Sequence, residues 1–93
     1  MATRHDAVPA GIDAQVLVDV DLAILGADAQ RFDQYEIQVR EEYSWVPLPI
    51  YRKKRTQILQ SFLARPTIYR TARFIGEYEA RARANLARSL ARL

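Results

Sequence analysis

The chain has no cysteine, one histidine and three glycines in its 93 residues. The absence of cysteine excludes disulfides, thiolate metal sites and cysteine nucleophiles, and points to a reducing compartment. With His5 as the only histidine, one chain cannot build a multi-histidine zinc or iron centre. The glycines are scattered at Gly11, Gly26 and Gly76, so no phosphate-cradling loop is possible, and neither a Walker pattern nor a serine nucleophile elbow occurs. Long apolar runs are also missing. The best, Ala14 to Leu25, is twelve residues interrupted by Gln15, Asp19 and Asp21, too short to cross a bilayer. Arg4, His5 and Asp6 stand where a signal peptide would need an apolar region. The expectation is a cytoplasmic protein with no membrane partner.

What remains is enough for one small domain with a modest core. Charge is divided along the chain: residues 1–49 hold three basic and nine acidic side chains, residues 50–93 eleven and two. Such a split suits a basic half that meets phosphate or nucleic acid, or two halves that pack together and neutralise each other. Twelve of the fourteen basic residues are arginine, a bias that base composition alone can produce.

Residues 1–12 read as a flexible N-terminal segment and 13–93 as a single helical domain. Ala14 to Leu25 fits two patterns. Val16, Val18, Val20, Leu22 and Ile24 alternate as in a strand, whereas Leu17, Val20, Ile24 and Leu25 make a helical stripe with Asp13 as cap and Gly26 at the end. The next segment is plainly helical: Asp28 caps it, Phe32, Tyr35, Val39 and Tyr43 share a face, and Pro47 and Pro49 end it. A third runs from Ile50 to Ala64 with Tyr51, Arg55, Ile58, Leu59, Phe62 and Leu63 around one stripe, closed by Pro66. A fourth begins near Thr71 or Phe74 and continues to Arg92, carrying Ile75, Tyr78, Ala82, Leu86 and Leu90, with Gly76 a weak point near its start. Three to four amphipathic helices with short proline-marked loops make an all-α bundle.

Few residues can carry chemistry. On a helix Asp19 and Asp21 point about 200° apart, which puts Asp21 inside the apolar stripe between Leu17 and Leu25 and leaves Asp19 facing solvent or an arginine. A carboxylate in the stripe must be hydrogen-bonded, paired or metal-bound. His5-Asp6 lies near the terminus, followed by Pro9 and Gly11, without the rigid helix end needed to aim both at one ion. Arg52, Lys53, Lys54 and Arg55 form the one basic run and, beside Tyr51, Tyr69 and Trp45, offer a phosphate or nucleic-acid grip; successive helical residues fan out, so a solvated helix surface is the competing reading. Arg81, Arg88 and Arg92 share one side of the last helix, with Glu77 one turn before Arg81.

Several strings together resemble a known family. Val18-Asp19-Val20-Asp21-Leu22-Ala23-Ile24-Leu25-Gly26, Tyr35, and Val39-Arg40-Glu41-Glu42-Tyr43 are similar to the C-terminal part of predicted metal-dependent HD-superfamily phosphohydrolases. Arg55-Thr56-Gln57-Ile58-Leu59-Gln60-Ser61-Phe62-Leu63, Ile68-Tyr69-Arg70-Thr71 and Glu79-Ala80-Arg81-Ala82-Arg83-Ala84-Asn85-Leu86 continue the likeness over nearly the whole chain. The resemblance implies an all-helical fold, like the C-terminal half of an HD domain, and so turns the Ala14 to Leu25 segment into helix. It also implies a divalent metal held by histidines and a His-Asp dyad on early helices plus a last aspartate. That role falls to Asp21 first and Asp19 second, with His5, in Ala2-Thr3-Arg4-His5, as a remnant of a neighbouring position.

The helices that bear the dyad in that family have no counterpart here, and His5-Asp6 does not replace them by position. A metal that activates water needs several converging ligands and an open position. The expectation is therefore a phosphohydrolase-like chain with no catalytic residue of its own, an incomplete metal site, no metal bound by the chain alone and little or no activity. The apolar surface those helices would cover should drive self-association or docking of a helical partner, which makes an interaction module the alternative. Nucleic-acid binding through the basic half is a further, less favoured alternative.

Overall fold

A computed structural model describes residues 18–93, and every described element is helical. A helical turn at residues 18–21 runs into a 3-10 turn, Ala23–Gly26. Three α-helices follow: α1, Ala29–Glu42; α2, Leu48–Leu63; and α3, Ala72–Arg92. The all-α bundle expected from periodicity is the fold. Residues 1–17, with His5, Asp6, Asp13 and the start of the apolar run, lie outside the described residues.

The helix starts follow local chemistry. Asp28 accepts from the Arg31 N–H at 2.9 Å and caps α1. Thr71 caps α3 through its hydroxyl, which accepts from the Phe74 N–H at 3.4 Å. Between them, α2 starts two residues earlier than the proline signal suggests. Pro47 precedes the helix and Pro49 sits in its first turn, where a missing N–H costs nothing.

The core gathers Leu25, Phe32, Leu59, Ile68, Tyr69, Ala82 and Leu86, all essentially closed to solvent. The 3-10 turn packs most extensively on α3, and α1 and α2 each lean on α3 more than on one another. The α3 stripe behaves as its spacing predicts, with Ala82 and Leu86 buried and Ile75, Tyr78 and Leu90 packed on the core. Ile68 and Tyr69 do not: they lie between helices, yet both are buried.

Gly26 is placed by contact rather than by conformation. Its φ is not positive, but a Cβ there would stand 2.7 Å from the Tyr78 Cβ and 3.0 Å from the Tyr69 hydroxyl. Asn85, itself buried, donates from Nδ2 to the carbonyls of Leu25 and Ala27, each at 2.8 Å. The Arg81 Nε donates to the Gly26 carbonyl at 2.5 Å. These bonds satisfy backbone acceptors that so short a turn cannot pair internally.

Parts of the expected stripes fail. Val20 is 53% exposed and Ile58 46% exposed. Just beyond Val20, at residue 21, the α-helical turn ends and a 3-10 turn takes over from Ala23, so a phase extrapolated at 3.6 residues per turn drifts off the core. At Ile58 the inward line is Tyr51, Arg55 and Leu59, and the next residue round the helix faces the gap between α1 and α2.

Candidate functional site

Around the first turn, the two aspartates take roles opposite to the expected ones. Asp19 is fully buried and Asp21 is exposed. Asp19 Oδ1 accepts from the Arg70 N–H at 2.8 Å. Its Oδ2 accepts from the Thr71 N–H at 2.8 Å and the Thr71 hydroxyl at 2.7 Å. Three of the roughly four acceptor positions of a carboxylate are filled, and the charge sits at the N-terminal end of α3, where the helix dipole favours it. The placement of Asp21 inside an apolar stripe is therefore corrected: the acid that turns inward is Asp19, drawn by amide donors that approach from the segment before α3.

Asp21 stands on the outside of the same turn, and His5 lies outside the described residues. Among the described residues, no group of three or more His, Cys, Asp or Glu side chains converges on a place for a metal ion. Asp19, sealed and committed to three donors, has the geometry of an architectural carboxylate, so these residues alone do not fit a divalent metal. Asp21 is the one of the pair whose oxygens are open to a ligand.

The strings that are far apart in sequence meet here. Besides the bonds from Asp19 to Arg70 and Thr71, the Glu79 carboxylate accepts from the N–H of Ile68 at 3.0 Å and of Tyr69 at 3.2 Å. Glu79 also pairs with Arg83 at 2.8 Å. The Tyr69 hydroxyl donates to the Leu22 carbonyl at 2.8 Å, and burial pushes its phenol up to about 12.

The basic run splits. Arg52, Lys53 and Lys54 are exposed, but Arg55 is buried on the Tyr51–Arg55–Leu59 line. Its Nε donates to Glu36 Oε1 at 3.3 Å, its Nη2 pairs with Glu36 Oε2, and its guanidinium lies 5.7 Å from the Tyr35 ring centroid. Burial disfavours the Arg55 charge, yet the Glu36 carboxylate outweighs it and holds the guanidinium above its ordinary range. Glu36 Oε1 accepts from the Ser89 hydroxyl at 2.9 Å as well, so one carboxylate ties α1, α2 and α3 together. Arg55 is thus committed inside the fold, and of the four cations only Arg52, Lys53 and Lys54 are open to solvent.

The arginines of α3 are also engaged internally. Arg81 holds Gly26, and Arg88 and Arg92 both reach Asp33, at 2.9 and 3.2 Å. Hydrogen bonding from Arg88 first, then Arg92, holds the Asp33 carboxyl below its usual range. Glu77 pairs with Arg73 at 3.6 Å rather than with Arg81.

A feature with no direct sequence signal is a groove of about 720 Å³ between α1 and α2. Tyr35, Tyr51 and Arg55 lie deep in it, and Val39, Tyr43, Trp45, Ile50 and Ile58 line its sides. Glu42 stands on the α1 rim and Lys54 on the α2 rim, both exposed. The nearest hint was the expectation of apolar surface left open to a partner.

No helix among the described residues is long and apolar enough to cross a membrane. Comparisons with family models, curated proteins and solved structures find no match to this chain.

Proposed function

We propose that this chain is the C-terminal portion of an HD-type metal-dependent phosphohydrolase-like protein of the cytoplasm, with little or no hydrolytic activity of its own. The observation that carries the reading is the division of labour between the two aspartates. Asp19 is spent on Arg70 and Thr71, while Asp21 is presented outward, where ligands from outside the described residues could join it. The interlocking of the strings that carry the family resemblance, Asp19 with Thr71, Glu79 with Tyr69 and Asn85 with Leu25, supports it too.

One carboxylate is too little to activate water on a metal. Incubation of the chain with manganese, magnesium, cobalt or nickel and a panel of phosphomonoesters and nucleotides should give no turnover above the metal-only control. Robust turnover that Asp21→Asn abolishes would overturn the inactive reading and give Asp21 a direct role.

A second reading, an interaction module, is favoured by the apolar groove between α1 and α2. A helical partner or another copy of the chain is the occupant such a face accepts.

A further inference from the structure

Above the Glu36–Arg55 pair, α1 and α2 diverge, and exposed apolar side chains collect along the gap. Trp45 is 76% exposed, with Ile50 and Ile58 about half exposed beside it. Apolar surface of this kind, gathered into one strip, marks a contact face. The loop that carries Trp45 is braced from beneath. The Arg40 guanidinium donates to the carbonyls of Tyr43 at 3.3 Å and Val46 at 3.0 Å and lies 4.8 Å from the Tyr51 ring centroid. An indole held out by a braced loop loses little freedom on docking.

The two sides of the strip differ in charge. The α1 rim carries the exposed acid Glu42, whereas the α2 rim carries the exposed cation Lys54; Glu41 and Arg52 line another groove, away from the strip. Neither Glu42 nor Lys54 has an ion-pair partner among the described residues. A ligand of one charge would meet attraction on one rim and repulsion on the other. A surface with an acid on one rim, an apolar strip and a cation on the other rim is instead complementary to itself, because a two-fold axis lying in the face and running along the strip exchanges the rims.

From this arrangement we infer that the occupant of the groove is a second copy of this chain. The two α1–α2 faces meet, Trp45 of each copy leaves water against the apolar strip of the other, and Glu42 of each approaches Lys54 of the other. This names the occupant for the interaction reading and does not depend on the phosphohydrolase-like one: a monomer would leave the latter standing, and phosphoester turnover would overturn only the inactivity assigned there, without touching the dimer.

Trp45 is the only tryptophan, so its fluorescence reports the proposed interface directly. Sedimentation over a range of concentrations should show monomer passing to dimer, with Trp45 emission shifting to the blue over the same range. Glu42→Lys and Lys54→Glu each turn two symmetry-related attractions into repulsions, and each alone should weaken the dimer about tenfold. Mixing the two variants sets opposite charges against each other again at both contacts of the mixed dimer and should restore association. Both positions are exposed, and circular dichroism checks that the variants keep the fold. Two outcomes overturn the inference: a monomer at every concentration, whether or not its groove binds the apolar dye 1-anilinonaphthalene-8-sulfonate with quenching of Trp45, or a dimer indifferent to both substitutions.

Discussion

Asp19 Oδ2 accepts two hydrogen bonds from a single residue, Thr71, one from its N–H at 2.8 Å and one from its hydroxyl at 2.7 Å. The same hydroxyl accepts from the Phe74 N–H, so its proton serves Asp19 and its lone pair caps α3. A buried carboxylate thereby sets the start of the longest helix, from a position 52 residues away in sequence.

Removing that carboxylate should be costly. Asp19→Ala leaves two buried amides and a hydroxyl without their acceptor, and Asp19→Asn replaces one acceptor oxygen with a donor that faces donors. We expect a loss of about 2–4 kcal/mol for either, since charge-assisted bonds are the stronger ones and unpaired buried donors add their desolvation. Asp21→Asn, at an exposed position, should change stability by no more than about 0.5 kcal/mol. Urea denaturation followed by circular dichroism separates the two, and equal effects would contradict the assignment of the inner acid.

At Gly26 the smallest possible side chain is already too large. A Cβ 2.7 Å from the Tyr78 Cβ and 3.0 Å from the Tyr78 carbonyl oxygen must push the 3-10 turn off α3. Gly26→Ala should destabilise by about 1–3 kcal/mol, as overpacking does. Gly76→Ala, with nothing within 4 Å of its Cβ, should be neutral or stabilising, because it lies inside α3 where glycine is the poorer helix former. Thermal denaturation of the two variants should give shifts of opposite sign or, at least, a loss only at Gly26.

The Arg55–Glu36 pair is nearly enclosed, with side chains 9% and 15% exposed. Deleting either partner strands the other's charge, so Arg55→Ala and Glu36→Ala should each cost about 3–5 kcal/mol. Replacement of both by apolar residues, Arg55→Met with Glu36→Leu, should cost much less than the two single losses combined. A double-mutant cycle on unfolding free energies measures this coupling. Purely additive losses would mean that the pair is screened by solvent.

Alkali should loosen the fold through Tyr69. Its phenol is raised from 10.0 to about 12 in the folded protein, with burial the main cause. A raised value means that this contribution to stability is complete below pH 10 and is lost as pH rises toward 12. Tyr69→Phe removes the titrating group together with its bond to Leu22. The variant should be less stable at neutral pH yet show a smaller further loss between pH 10 and 12. A profile parallel to that of the native chain would assign the alkaline transition to other groups.

How much of this could be read from the chain depends on the range of the interaction. Helix α3 was legible because Ala82 and Leu86 recur among strong helix formers and Thr71 caps locally. The start of α1 was legible for the same kind of reason, since Asp28 meets an amide three residues on. The inner aspartate was not, because the phase of a short turn that changes from α to 3-10 cannot be extrapolated and its partners lie beyond two intervening helices. Arg55 appeared as one of four cations, and only Glu36 across the gap makes it an interior residue.

Local spacing, caps and prolines thus determined that this protein is helical and where its longer helices run, since those signals act within a turn or two of the residues that carry them. Which acid is buried, which arginine is spent, and that α1 and α2 part to leave Trp45 in the open were decided by tertiary packing. Desolvation and hydrogen-bond satisfaction are settled by atoms that only the folded chain brings within 3 Å of each other.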